Sequence, residues 1–411
     1  MSSAAAGPGD GGGPAAAPGG VDPHTGLRRT IGPWAFLGVT VASLGGPLAL
    51  AALYAPSIVA DAGGSAGLSV LAAAVVFGFP LAIWLRYSRD IASAGGQFAF
   101  VEAAAGRRVA QVQAAIWIVS YVLYLLDTTG SVVYDTLPAV WPGIRPYQSA
   151  LEIAIPVFLA AVMLAGRAVT LITTGVIAAG QLVLVAILDG VAVHHAAPAA
   201  SFGTGAQAGP LATSIGQTAL LYVCGSLPLF LGGEVVAPRT RTVRRGLVAG
   251  YLLVAAGVIV AVFPLAADPA FLRAPIPGMS VVRVFVGNPL AVAVGVGVAV
   301  SVVGVMLVEY LALSRLLTVV TRLSLRRGTA WLGAALVVAG PVSLIDPDAF
   351  YDSLIKPSLF ALWLSQLMVF AVYPRYAVRR GSNPLVSYGL GAVGVAFALY
   401  GLWAVWHHAV S

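Results

Sequence analysis

Apolar residues in this chain come in runs of roughly 20, separated by short polar or glycine- and proline-bearing stretches, and the runs recur along nearly its whole length. Each is about long enough to cross a ~30 Å hydrocarbon core as a helix. Eleven runs stand out, at 33–60, 67–85, 109–136, 147–166, 168–193, 211–236, 246–267, 287–313, 329–345, 349–373 and 383–406. The pattern predicts an all-α polytopic membrane protein with about 11 transmembrane helices, lying in the bilayer with no separate soluble domain.

Two of the runs are interrupted where a membrane helix should be most regular. In the first, "VASLGGPLAL" (41–50) sets Gly45, Gly46 and Pro47 mid-span. In the sixth, "VCGSLPLFLGGE" (223–234) again sets small residues and a Pro-Leu pair in the interior, with Ser226-Leu227-Pro228-Leu229 echoing Ser43-Leu44 and Pro47-Leu48. Irregular backbone survives in a bilayer only where protein buries it or a cavity meets it, because each unpaired peptide group costs several kcal/mol. Two interrupted helices five spans apart mark a 5+5 inverted repeat with broken helices 1 and 6, whose freed amides and carbonyls form a site at mid-membrane. A Pro kink or small-residue packing notch is the competing reading of either stretch alone. The domain plan follows: a tail over 1–30, a ten-helix core over 31–380 with repeats 33–193 and 211–373, and an eleventh helix with the C-terminus over 381–411.

Composition agrees with a membrane protein: of 411 residues 59% are hydrophobic and 9% charged, and the mean hydropathy is +0.93. The net charge of +7 points to nucleic acid only until its placement is read, since basic residues are retained on the cytoplasmic side. With the N-terminus inside, the cytoplasmic segments hold Arg28, Arg29, Arg86, Arg89, Arg107, Arg108, Arg167, Arg239, Arg241, Arg244, Arg245, Arg315, Arg322, Arg326, Arg327, Arg375, Arg379 and Arg380, 18 of the 22 basic residues. Arg145, Arg273, Arg283 and Lys356 fall outside. Losing one span would scramble this pattern, which predicts a multi-pass protein of the inner or plasma membrane with an external C-terminus around His407 and His408. The first 26 residues lack the basic start and apolar centre of a cleavable signal peptide and read as a disordered cytoplasmic tail. The sole cysteine, Cys224, excludes an intrachain disulfide framework and a metal cluster.

Three stretches resemble one family. "SRDIASAGGQFAFVEAAAGRRVAQVQAAIWIVSYVL" (88–123) is similar to the loop and third helix of the amino acid, polyamine and organocation superfamily, with Ala94-Gly95-Gly96-Gln97-Phe98-Ala99-Phe100-Val101 filling its P-x-A-G-G-x-Y-x-Y-V-like stretch. "LGGEVVAPRTRTVRRGL" (231–247) resembles its sixth helix and following loop, and "LALSRLLTVVTRL" (311–323) the Ser-Arg signature closing its eighth helix. The resemblance spans roughly residues 30 to 380 and implies the leucine-transporter-like fold and transport of amino acids or related amines by alternating access. The chain departs from the family at the first break, where Ser43-Leu44-Gly45-Gly46-Pro47-Leu48 replaces the usual G-x-G-I-F. Where many proton-coupled relatives carry a lysine in the fifth helix, this chain has Gln181. No twelfth helix is expected.

Ionisable groups inside a membrane are expensive and each is a functional hypothesis. Asp127 lies mid-span in the third helix beside Tyr124 and Thr128, with Ser131 and Tyr134 continuing one stripe that should face the bundle interior. It is read either as a substrate-amine or coupling group, or as a buried carboxyl satisfied by hydrogen bonds. Glu234 follows the second break, and an inward gate bridge to an arginine competes with a helix-end carboxylate near Arg239. Glu309 precedes Arg315 in the eighth helix and serves packing, a gate or coupling. Asp189, His194 and His195 sit near the outer end of the fifth helix, close to water. Asp352 and Lys356 form a local i, i+4 pair.

No nucleophile with its base, metal-spaced cluster or phosphate-cradling loop is present, so the reading is not an enzyme and calls for no cofactor. The expected function is secondary active transport of an amino acid or small amine, with Ser43, Leu44, Gly45, Gly46, Tyr124, Cys224, Gly225, Ser226 and Leu227 around the substrate, and Asp127, Gln181, Glu234 and Glu309 in coupling or gating. Its expected partners are the small-molecule substrate, protons or sodium, and the lipid bilayer, with no nucleic acid. An exchanger, and a non-transporting sensor or channel on the same scaffold, are the competing readings.

Overall fold

The computed structural model describes residues 20–21, 26–195, 202–264, 270–321 and 323–407, without the side chains of Asp61, Arg273, Asp348 and Asp352. Most of the predicted tail, Arg322, His408 and the Asp352–Lys356 pair therefore lie outside the described residues. Eleven long helices follow one another: α1 (Pro33–Ile58), α2 (Ala62–Tyr87), α3 (Arg107–Val140), α4 (Pro142–Leu164), α5 (Arg167–His195), α6 (Ala208–Glu234), α7 (Arg239–Ala261), α8 (Asn288–Thr321), α9 (Leu325–Ser343), α10 (Pro347–Arg379) and α11 (Pro384–His407). All but α9 are long and apolar enough to cross a membrane; Arg326 and Arg327 lower the mean hydropathy of α9. Among the described residues, extended pairing is confined to isolated bridges, such as Ile31 with Val235.

The helices outrun their apolar cores mainly at the arginine-bearing ends: α7 already begins at Arg239, α8 continues to Thr321 and α10 to Arg379. Arginine is a good helix former and its long stem lets the charge leave the apolar layer, so the helix continues where the hydrophobic run stops. The short helices Gln97–Ala105 and Pro277–Phe285 lie in stretches that carry no long apolar run.

Contacts between helix ends establish the crossing parity. On the arginine-rich face Arg167, at the start of α5, donates to the Arg28 carbonyl before α1 (2.7 Å) and to Glu234 at the end of α6 (2.9 Å). On the same face Tyr376, near the end of α10, donates to Asp90 just after α2 (2.8 Å). On the opposite face Ser343, ending α9, donates to Glu152 early in α4 (2.9 Å), and the rings of Tyr134 in α3 and Tyr351 in α10 lie 5.8 Å apart. Odd helices thus start, and even helices end, on the arginine-rich face.

Packing has the symmetry of a 5+5 repeat. Helix α1 packs on α7 as α2 packs on α6, and α3 packs on α10 as α5 packs on α8. Small residues set the close approaches: a Cβ on Gly246 or Gly250 of α7 would lie 2.5 Å from Phe36 or 2.7 Å from Thr40 of α1. The α3–α10 seam is polar, with Gln113 bonded to Ser365 (2.9 Å) and Ser120 exchanging hydrogen bonds with Ser358 (2.9 and 3.2 Å), while Gln97 pairs with Gln366 (2.8 and 3.1 Å) just before α3. These side chains are buried and bonded across the seam, with Gln113 Oε1 left unpartnered, so the seam fixes the register of α3, which carries the aromatic side of the site.

Candidate functional site

Helix α1 is regular over Pro33–Ser43 and then breaks. Leu44 (φ −76°, ψ 59°) makes an inverse γ-turn in which the Gly45 N–H donates to the Ser43 carbonyl (2.8 Å). Gly45 (φ +69°) and Gly46 (φ +66°) follow in the left-handed region, where a side chain would be strained. Pro47 then starts the helix again at its first turn, where its missing N–H costs nothing. Residues Leu50–Tyr54 form a π-helical turn, as do Ser131–Thr136 of α3, and Tyr54 and Ser131 share a hydrogen bond between the two.

Helix α6 breaks differently. It is α-helical over Ala208–Leu221 and continues as 3₁₀ helix for 13 residues, Tyr222–Glu234, every one of them buried. Runs beyond about 4 residues are uncommon in that conformation, so tertiary packing holds this one. The two breaks touch: a Cβ on Gly225 would lie 2.7 Å from Leu44 Cδ2, and one on Gly45 would lie 3.6 Å from the Leu221 carbonyl.

Helices α5 and α8 brace the first break. The Ala49 N–H donates to Ser301 Oγ (3.2 Å), and the Ser301 hydroxyl donates to Gln181 Oε1 (2.8 Å). Gln181 thus buttresses the restart of α1, and its Nε2 has no hydrogen-bond partner. Gly46 lies so close to α8 that a Cβ there would be 2.5 Å from Ser301 Oγ and 2.8 Å from the Ser301 carbonyl.

Aromatic rings of α3 line the other side. Trp117 stands 4.2 Å from the Tyr121 ring and 4.4 Å from Phe230 in the 3₁₀ stretch, and the Tyr121 hydroxyl lies 4.0 Å from Cys224 Sγ. Tyr124 is edge-on to Tyr121 at 6.3 Å. Tyr124 and Asp127 are half-buried, as is Tyr54 across from them. Glu309 of α8 is completely buried within electrostatic reach of Asp127, Tyr54, Tyr121, Tyr124 and Cys224, and neither of its oxygens has a hydrogen-bond partner within the protein.

Toward the arginine-rich face lies Glu234, at the end of the 3₁₀ stretch. Its Oε1 accepts from Arg315 Nε (2.7 Å) and its Oε2 from Arg167 Nη1 (2.9 Å), with Glu234 fully buried and Arg315 2% exposed. The Glu234 carbonyl also accepts from the Thr30 (2.8 Å) and Ile31 (3.0 Å) amides, and the Val236 N–H donates back to the Ile31 carbonyl (3.0 Å).

The structure therefore brings together Leu44, Gly45, Tyr124, Asp127, Cys224, Gly225 and Glu309. Ser43 turns its hydroxyl back to the Thr40 carbonyl (2.8 Å), Ser226 is buried with its hydroxyl unpartnered, and Leu227 is buried in the 3₁₀ stretch. Glu234 pairs with Arg315 and Arg167 rather than with its near neighbour Arg239. Asp189 turns toward Gly257 of α7, and its Oδ1 is buried without a hydrogen bond. Sequence reasoning did not reach Tyr54, Ser301 or the Arg28 carbonyl; the only signal for Ser301 was a lone serine in the apolar run 287–313. Among the described residues no group of three or more His, Cys, Asp or Glu is placed to hold a metal ion.

No protein-family model matches the chain, and no curated protein matches its sequence. Solved structures do match in fold. One is the crystal structure of MhsT in complex with L-phenylalanine, at a TM-score of 0.61 and 13% identity, covering 90% of this chain and 97% of that one. This is the leucine-transporter-like fold. At that identity the likeness carries the architecture, and the chemistry must be argued from the site.

Proposed function

We propose that the chain is a secondary active transporter of an amino acid or related small amine, working by alternating access and coupled to protons. The observation that carries this reading is the meeting of two helix breaks beside an aromatic wall, with the Glu234 ion pairs toward the arginine-rich face and half-buried Tyr54, Tyr124 and Asp127 on the other side. The phenylalanine held by MhsT supports an amino acid or amine as cargo. In this reading Ser43 to Gly46, Tyr124 and Cys224 to Leu227 surround the substrate, and Asp127 and Glu309 are the titratable groups available for coupling. Gln181 braces the α1 break, and Glu234 with Arg315 and Arg167 is the gate. The arginine-rich face is cytoplasmic by its charge, so the gate closes the inner side. Substrate must bind the open and closed forms with different affinity for the gate to respond to it.

Uptake into proteoliposomes of a radiolabelled amino acid and amine panel tests this, with an inward proton gradient, an inward sodium gradient, or internal unlabelled substrate. Accumulation driven by the proton gradient is the expected outcome. Accumulation driven by sodium, or countertransport alone, would reassign the coupling, and no movement under any condition in verified vesicles would sink the transport reading.

A further inference from the structure

The buried carboxyl of Glu309 has a chemical consequence for the cargo. An ionised carboxylate without a partner in a low-dielectric interior is unfavourable by several kcal/mol even after relaxation, so it requires a proton or a counter-cation. The protein does not supply that cation. Arg315, six residues further along α8, emerges about a third of a turn away around the helix, and both its Nε and its Nη2 are given to Glu234 (2.7 and 3.5 Å). Among the described residues the charged side chain acting on Glu309 is Asp127, which is itself acidic. The other titratable groups within its electrostatic reach are the phenols of Tyr54, Tyr121 and Tyr124 and the Cys224 thiol, which offer no positive charge to an anion and whose rings are of the kind that takes a cation on its face.

The backbone of the first break tells the same story. The Leu44 N–H is spent on the Val41 carbonyl (3.4 Å), the Gly45 N–H on the Ser43 carbonyl (2.8 Å) and the Ala49 N–H on Ser301 Oγ (3.2 Å). Three amides of the break are thus already engaged, while two carboxyl groups and three phenol rings come within electrostatic reach of one another. Resting on the transporter reading above, we infer that Glu309 is the counter-charge for an ammonium group of the substrate, and that the cargo is a small organic amine of net positive charge rather than a zwitterionic amino acid.

Cys224, the only thiol in the chain, reports on this site without any knowledge of the natural cargo. In purified full-length protein, a positively charged methanethiosulfonate should modify Cys224 about tenfold faster than a negatively charged one of similar size. The ratio should collapse toward one in Glu309→Gln and return in Glu309→Asp. Because both reagents meet the same thiol, a change in thiol reactivity cancels in the ratio. In wild type 1,4-diaminobutane should slow the modification and raise the unfolding midpoint followed by tryptophan fluorescence, and leucine should do neither. A wild-type ratio near one, equal protection by leucine and the diamine, or a ratio unmoved by Glu309→Gln in folded protein would overturn the inference. Should Glu309→Gln not fold, the wild-type ratio and the diamine-against-leucine comparison decide alone. Zwitterion uptake at the same rate in wild type and Glu309→Gln would refute the inference and leave a transporter. An intact charge ratio with no uptake of any compound would refute transport and leave a cation site.

Discussion

The two broken helices invite comparison, because their sequences look alike and their backbones do not. In α1 the interruption is three residues long, made by an inverse γ-turn and two left-handed glycines and ended by Pro47. In α6 the α-helical ladder is lost at Tyr222 and does not return before Glu234, and none of Gly225, Gly232 and Gly233 has a positive φ. The first break is a local instruction written in glycine. The second is imposed by its surroundings, with all 13 residues buried and its far end anchored by the Glu234 ion pairs. A hinge of the first kind should fail when its backbone is corrected, and one of the second kind when its anchor is cut.

Gly46→Ala should have the largest effect. A left-handed φ costs a side chain ~1–2 kcal/mol, and a Cβ placed 2.5 Å from Ser301 Oγ and 2.8 Å from its carbonyl meets backbone that cannot move aside. With overpacking of about 1–3 kcal/mol added, the loss is about 2–5 kcal/mol. It should appear as a lower midpoint in thermal unfolding followed by exposure of Cys224, and an unchanged midpoint would contradict a glycine-made break. Glu234→Gln comes next, at about 2–3 kcal/mol, because Arg315 stays buried without its carboxylate. The same assay reads it, and a loss well under 1 kcal/mol, the scale of a surface ion pair, would show that the anchor does not hold the 3₁₀ segment. Gly225→Ala should be the mildest, about 1 kcal/mol, since its new Cβ meets the end of the flexible Leu44 side chain. If it cost as much as Gly46→Ala, the distinction between the two breaks would collapse.

The sequence showed where both helices break but only how one of them does. Gly45, Gly46 and Pro47 carry their conformation locally, whereas Tyr222–Glu234 takes a form that no residue in it demands. The eleven helices were readable, and ten of them qualify as spans, because a bilayer enforces length and hydropathy, and the arginine asymmetry announced a face on which the helix ends do meet. Partnerships across the bundle were hidden. Arg315 stands 81 positions from Glu234, and the nearby Arg239 was the local alternative for that carboxylate. Glu309 and Arg315 looked associated through proximity in sequence, yet six residues of helix turn them to different neighbours. Ser301 gave no warning of its place between the α1 break and Gln181, because a lone serine in an apolar span has no period to betray it.

The segment Thr30–Ile31 hangs by two amides on the Glu234 carbonyl, and Val236 returns a third bond to Ile31. The entrance to α1 and the exit of α6 are thereby stitched main chain to main chain, a seam that only a substitution removing an N–H, to proline, can unpick. Any opening on this face either swings both broken helices together as one lever or tears all three stitches at once. In the transporter reading, the stroke is thus set by the stiffness of a short strip of peptide lying across the floor of the site.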